Sequence, residues 1–174
     1  MRGAITEYFE SDHRRLDRLL VRATADPNAI DGDAYAKFRS GLLRHIGLEE
    51  KIVFPMVQRL RGGAPMPEVQ QLRLDHGALT ALFVPPPTTG IIAAIRAILE
   101  KHNAMEEAAF GVYETSDELA GADTADVVEK AMHAPEVPVL PYNEDPRVLD
   151  ATRRALARAG YNLDEYLKSD SRKP

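Results

Sequence analysis

Apolar residues along this chain recur at intervals of three and four rather than two, the repeat of helices that bury one face. Strand-like alternation is nearly absent, so the chain reads as all-α. Helix A is expected over about Ala4–Ala23, with Ile5, Phe9, His13, Leu16 and Leu20 on one stripe, ending before Asp26-Pro27. Helix B is expected from the Asp31-Gly32-Asp33 cap to about Arg61, with Phe38, Leu42, His45, Glu49 and Met56 on one face and Gly62-Gly63 as its stop. Pro55 should kink it or mark its last regular turns. Helix C should start around Pro67-Glu68 and run to about Phe83, with Val69, Leu72, His76, Leu79 and Phe83 inward, before Pro85-Pro86-Pro87 ends it. Helix D should open after Thr88-Thr89 and reach about Glu114, carrying Ile91, Ile95, Ile98, His102, Glu106, Ala109 and Tyr113 along one side.

Four amphipathic helices joined by short turns predict an up-down-up-down antiparallel four-helix bundle over residues 1–118. Residues 119–174 read as a C-terminal extension. It comprises a short helix over about Asp123–Met132, a proline-spaced extended linker over Ala134–Pro146, and a helix over about Arg147–Ala159 stopped by Gly160. Val148, Leu149, Leu156, Leu163 and Tyr166 suffice to dock this tail on the bundle or on a second subunit, so a monomer or a homodimer is expected. They are too few for an independent domain.

Composition narrows the chemistry. The chain has 174 residues and no cysteine, which excludes disulfides, iron–sulfur clusters and thiol catalysis. Its formal net charge is -5 with no block of Lys or Arg, so neither nucleic acid nor an anionic membrane is an expected partner. Met1–His13 carries Glu7, Glu10 and Asp12 and has no apolar stretch of signal-peptide length. Ile91–Leu99 is interrupted by Arg96 and is far short of the roughly 20 residues that span a bilayer. A cytoplasmic-type soluble protein with a small-molecule ligand is the expectation. No Gly-rich phosphate loop, Gly-x-Ser-x-Gly elbow or His-Glu-x-x-His motif is present.

Four of the five histidines, His13, His45, His76 and His102, fall one per expected bundle helix, each on the apolar stripe. Two of them head the same pattern, His45-Ile46-Gly47-Leu48-Glu49 and His102-Asn103-Ala104-Met105-Glu106, which on a helix sets imidazole and carboxylate on one face a turn apart. A single inward histidine is commonly just a hydrogen-bonded core residue. Four at one depth, with two carboxylates among them, would be severely penalised without a cation, and a metal removes that penalty. Mixed nitrogen and oxygen donors without sulfur suit iron, manganese or zinc better than calcium or magnesium. Six protein ligands exceed what one tetrahedral site needs, whereas two metals bridged by Glu49 and Glu106 would use them all. Two protein negative charges against four from a divalent pair leave room for a bridging oxide or hydroxide. Asp75, Glu50 and Glu107 adjoin ligands but point roughly 100° away around the helix, as surface or supporting carboxylates. His133 belongs to the tail as an exposed histidine.

The ordered set His13, His45 to Glu49, His76, and His102 to Glu106, with the run Leu48-Glu49-Glu50-Lys51-Ile52-Val53-Phe54-Pro55, resembles the hemerythrin-like (HHE cation-binding) domain family over about residues 4–115. The resemblance implies a four-helix bundle around a non-haem di-iron centre. It also implies that His13 and His45 hold one iron and His76 and His102 the other, with Glu49 and Glu106 bridging. Ferritin-like bundles differ in using Glu-x-x-His with further glutamates on the other helices. Unlike the oxygen-carrying hemerythrins, this chain has Thr80, not histidine, four residues after His76. One terminal imidazole is therefore missing, and Thr80 or a water it holds could take that position. The resemblance implies two classes of function: a redox-active protein binding or reducing oxygen, peroxide or nitric oxide, and a non-catalytic iron sensor or store signalling through its tail. The branch that repairs iron centres is disfavoured, because its members carry an N-terminal cysteine-containing module.

Overall fold

The structure is a computed structural model that describes residues 3–168 and 170. Met1 and Arg2, which open the Met1–His13 stretch, and Ser169 and residues 171–174 of the C-terminal extension lie outside the described residues. Among the described residues regular structure is helical, and the only extended pairing is an isolated bridge between Asp26 and Ala29. In chain order the helices are α1 (Ala4–Ala23), α2 (Gly32–Leu48), α3 (Phe54–Leu60), α4 (Val69–Leu82), α5 (Thr89–Glu106), α6 (Val112–Ala120), α7 (Thr124–His133), α8 (Pro146–Ala159) and α9 (Leu163–Leu167). No helix among the described residues is long and apolar enough to cross a membrane. The chain divides into two compact units, Met1–Val69 with Ala104–Val139, and Gln70–Asn103 with Leu140–Pro174.

In the first unit α1 packs against α2, α6 and α7, and α3 packs against α6. The stripe Ile5, Phe9, Leu16 and Leu20 of α1 is buried, as are Tyr35, Phe38 and Leu42 of α2. Gly3 offers α1 no side-chain cap, so its first amides are satisfied from a distance. Asp117 of α6 accepts from Ile5 N and Thr6 N at 2.9 Å each and from Thr6 Oγ1 at 2.7 Å. A carboxylate at that end also faces the positive pole of the helix. Arg44 of α2 in turn donates to the carbonyls of Ala131 and Ala134 at the end of α7. The proline-spaced segment after α7 lies along α2, where Ser40 Oγ donates to Val137 O at 2.6 Å.

Helix B does not run unbroken to Arg61. After α2 the chain makes a π turn over Glu49–Val53, in which Phe54 N bonds to Glu49 O five residues back, and α3 follows. The cause is Pro55, which has no amide hydrogen and whose ring would crowd the carbonyl four residues earlier in an α-helix. The wider turn relieves that conflict and lets seven more helical residues follow.

Helix D is also corrected, because α5 ends at Glu106 and Tyr113 belongs to a separate helix, α6. Ala109, expected inward, is exposed. At the break Phe110 adopts φ 63, and a Cβ on Gly111 would lie 2.7–2.9 Å from the carbonyl oxygens of Met105, Glu106 and Ala108. Only glycine tolerates backbone that close, so the chain turns at this point.

In the second unit the C-terminal stretch is tied to α4 and the segment after it. Thr152 Oγ1 donates to Ala81 O at 3.2 Å, Gln71 Nε2 to Ala159 O at 2.9 Å, and Asn143 N to Val84 O at 2.9 Å. Leu156 and Leu163 are buried, whereas Val148, Leu149 and Tyr166 are half-buried.

Candidate metal centre

The π turn and the break after α5 both adjoin a cluster of buried polar groups in the first unit. His13 comes from α1, His45 from α2, Glu49 from the start of the π turn, Glu106 from the last residue of α5 and Tyr113 from α6. Glu49, Glu106 and Tyr113 are 0% exposed, and His13 and His45 are buried. One ligating atom from each of His13, His45, Glu49 and Glu106 lies within 4.8 Å of the others. The two imidazoles face each other through Nε2 at 3.0 Å, with His13 Nε2 3.4 Å from Glu106 Oε2 and His45 Nε2 3.3 Å from Glu49 Oε1.

The outward nitrogens are held by a second pair of carboxylates. Glu107 Oε1 lies 2.6 Å from His13 Nδ1, and Asp12 Oδ2 lies 2.9 Å from His45 Nδ1. This fixes both rings with Nε2 presented inward, the arrangement by which proteins orient a histidine toward a cation and raise its basicity. Phe9 packs its ring edge-on to His45 and stacks on Tyr113 at 5.0 Å, closing one side with apolar surface.

Electrostatics make the same point. Burial alone would lower the pKa of His45, but the charge of Glu49 and the hydrogen bonds to Asp12 and Glu49 push it up to about 10. Burial likewise opposes protonation of His13, and the bonds to Glu106 and Glu107 outweigh it, raising its pKa. Asp12 is held at about 2: burial would raise it, but His45 and Arg15 lower it further. Burial raises the Tyr113 phenol well above its usual value, and the charges of Glu106 and Glu49 add to the shift. Two buried carboxylates thus demand positive charge between them. Protons on the imidazoles or a metal cation can supply it. The donor set of two imidazole nitrogens and two carboxylates, without sulfur, fits iron, manganese or zinc.

In the second unit His76 of α4 and His102 of α5 are buried with ring centroids 4.8 Å apart. Asp75, also buried, approaches His102 Nδ1 at 3.5 Å and accepts from Gln71 Nε2 at 2.9 Å. The Tyr161 phenol is pushed up to about 12 by its partial burial, then by the charge of Asp75 and its hydrogen bond to that residue. Thr80 Oγ1 donates to His76 O at 2.9 Å, so its hydroxyl is engaged with its own helix. His133 is exposed at the end of α7, bonded locally to Glu129 O.

The structure therefore gathers His13, His45, Glu49 and Glu106 in one unit and pairs His76 with His102 in the other. Sequence reasoning did not single out Asp12 or the Tyr113 hydroxyl. A signal for Asp12 exists: the dipeptide Asp-His occurs twice, at Asp12-His13 and Asp75-His76, and each aspartate reaches a histidine of a different helix.

Residues 4–84 match the family model Hemerythrin HHE cation binding domain, a stretch that contains His13, His45, Glu49 and His76. No curated protein and no solved structure matches the chain. The matched segment and the buried His/Glu cluster both point to metal-cation binding.

Proposed function

We propose that this hemerythrin HHE-type chain is a non-haem di-iron protein that binds, senses or reduces oxygen, peroxide or nitric oxide. In this reading His13 and His45 serve one iron, His76 and His102 the other, and Glu49 and Glu106 are shared, within an up-down four-helix bundle. When bound, a non-haem iron pair supplies electrons and an open coordination position for a small ligand. The observation that carries the reading is the convergence of His13 Nε2, His45 Nε2 and two fully buried carboxylates, each imidazole backed by its own carboxylate. The chain's part is to hold both Nε2 atoms aimed inward, where an arriving cation can replace their protons, and to exclude water with Phe9 and the surrounding apolar side chains. The missing imidazole at Thr80 favours small-ligand chemistry at the His76–His102 side over reversible oxygen carriage.

Iron-replete expression followed by metal analysis tests the reading. About two irons per chain are expected, as in other di-iron carboxylate bundles. The oxidised protein should show near-ultraviolet bands of an oxo-bridged ferric pair and should turn over peroxide. A single iron per chain, or zinc alone after iron-replete growth, would overturn the paired centre. Two irons without turnover of peroxide or any spectral response to oxygen, peroxide or nitric oxide would overturn the ligand assignment.

A further inference from the structure

We propose that Tyr113 is itself a metal ligand, its phenol oxygen completing the donor set of His13, His45, Glu49 and Glu106. The inference rests on the metal-centre reading above and adds to it a residue outside the His and His-x-x-x-Glu pattern. Its oxygen lies 2.5 Å from Glu49 Oε1, 3.0 Å from Glu106 Oε2, 3.2 Å from His13 Nε2 and 3.4 Å from His45 Nε2. It therefore faces the same point as all four residues. A phenol has one hydrogen to donate, and here it goes to Glu49 at the shortest of the four distances. The other three contacts bring ligating atoms of Glu106, His13 and His45 within 3.0–3.4 Å of the same phenol oxygen. A cation among them engages the phenol oxygen, both nitrogens and both carboxylates at once.

Two features of the backbone deliver this side chain. Phe110, 77% exposed, takes φ 63, an uncommon conformation for a bulky residue, and its amide donates to Glu114 Oε2 at 2.7 Å. Gly111 then passes within contact of the carbonyls that end α5, in a geometry that a Cβ would prevent. The chain thus breaks a helix immediately after Glu106 and restarts it one residue before Tyr113. The Tyr113 ring is seated by its stack on Phe9, with an interplanar angle of 23°.

Phenolate is a hard oxygen donor that suits ferric iron. On ligation the Tyr113 O–H bond is replaced by an oxygen–metal bond and the proton is released to water, with no change in oxidation state. Ferric phenolate has a visible charge-transfer band and resonance-enhanced tyrosinate ring vibrations, both distinct from the near-ultraviolet bands of an oxo bridge.

The test uses the full chain loaded with ferric iron, with iron content and helical circular dichroism measured for every variant. Wild type should show the visible band and the tyrosinate Raman modes. Tyr113→Phe keeps the ring and its stack and should lose both signals per bound iron. Tyr142→Phe, at an exposed tyrosine, should keep them. Iron-loaded wild type without the band or the Raman modes would overturn the inference while leaving the metal centre standing, and this measurement needs no variant to fold. A full band in Tyr113→Phe would also overturn it. Failure of wild type to hold iron would overturn this inference and the metal-centre reading together.

Discussion

Replacing Asp12 should weaken metal binding without touching a ligand. Its carboxylate lies 2.9 Å from His45 Nδ1 and also accepts from Arg15 Nε at 2.7 Å. Loss of a carboxylate behind a ligating histidine costs about 10–100-fold in affinity. At about 1.4 kcal/mol per decade this is roughly 1.4–2.7 kcal/mol. Asp12→Asn retains an oxygen acceptor for the ring and removes only charge, so it should fall near the tenfold end. Asp12→Ala leaves a buried ring nitrogen without its acceptor and should fall near the hundredfold end.

The same carboxylate helps His45 keep its proton in the metal-free protein, which introduces an opposing effect. Below the His45 pKa a metal must displace that proton, and Asp12→Asn makes the displacement easier. Part of the loss is therefore masked at pH 7 and emerges as pH rises toward about 10. Competition between the protein and a chelator for zinc, run from pH 7 to 9, reads both effects. Equal affinities for wild type, Asp12→Asn and Asp12→Ala would refute the reasoning, as would a loss that shrinks with increasing pH.

Glu49→Gln and Glu106→Gln keep side-chain volume but remove the charge that balances the cations, so each should release at least one iron in metal analysis. His76→Ala should be the milder lesion, and Thr80→His should raise occupancy by restoring a second imidazole on α4. Metal-free protein should lose stability as pH rises from about 6.5 through 10, because His45 is protonated more tightly folded than unfolded and its stabilising charge is lost across that window. Melting temperature against pH reads this directly, and a metal-free profile that rises over the same range would contradict it. Gly111→Ala would place a methyl 2.7–2.9 Å from three backbone oxygens, so it should destabilise the fold by about 1–3 kcal/mol in urea melts.

How far the sequence could be read depends on whether a signal is local. Helix α1 spans Ala4–Ala23 as its stripe predicts, because Ile5, Phe9, Leu16 and Leu20 are dense and Pro27 lies just beyond the end. The break after α5 is hidden because the apolar spacing of Ile95, Ile98, His102 and Glu106 continues in register through Ala109 and Tyr113. Gly111 looks no different in sequence from Gly47 and Gly77, which sit inside helices where a Cβ would meet nothing within 4 Å. What separates Gly111 is the approach of the carbonyls of Met105, Glu106 and Ala108, a local turn geometry that the spacing of apolar residues does not report. Pro55 did announce a disturbance, but a missing amide and a crowded carbonyl are compatible with a kink, an end or a π turn, so its form as a π turn beginning at Glu49 was not legible. The buried His and Glu positions stand out in the sequence because the four-residue spacing repeats. Asp12 was not, since a neighbour in sequence lies about 100° around the helix and acts on another element.

That last geometry explains why the dipeptide Asp-His occurs twice. Adjacent residues on a helix diverge by about 100°, so a histidine aimed inward places the preceding aspartate toward the neighbouring helix. Asp12 of α1 thereby supports His45 of α2, and Asp75 of α4 approaches His102 of α5. At Asp12-His13 one dipeptide thus supplies a candidate ligand and the carboxylate that orients another. The two halves of the chain then depart from this common plan in opposite directions. Beside His13 and His45 a helix break brings in the extra oxygen of Tyr113, whereas after His76 the Thr80 hydroxyl is bonded to its own helix. In the di-iron reading this leaves the His13–His45 side rich in protein donors and the His76–His102 side short of one. In that reading small-ligand chemistry falls on the second side, with Tyr113, as proposed, and its carboxylate neighbours holding the first metal in place.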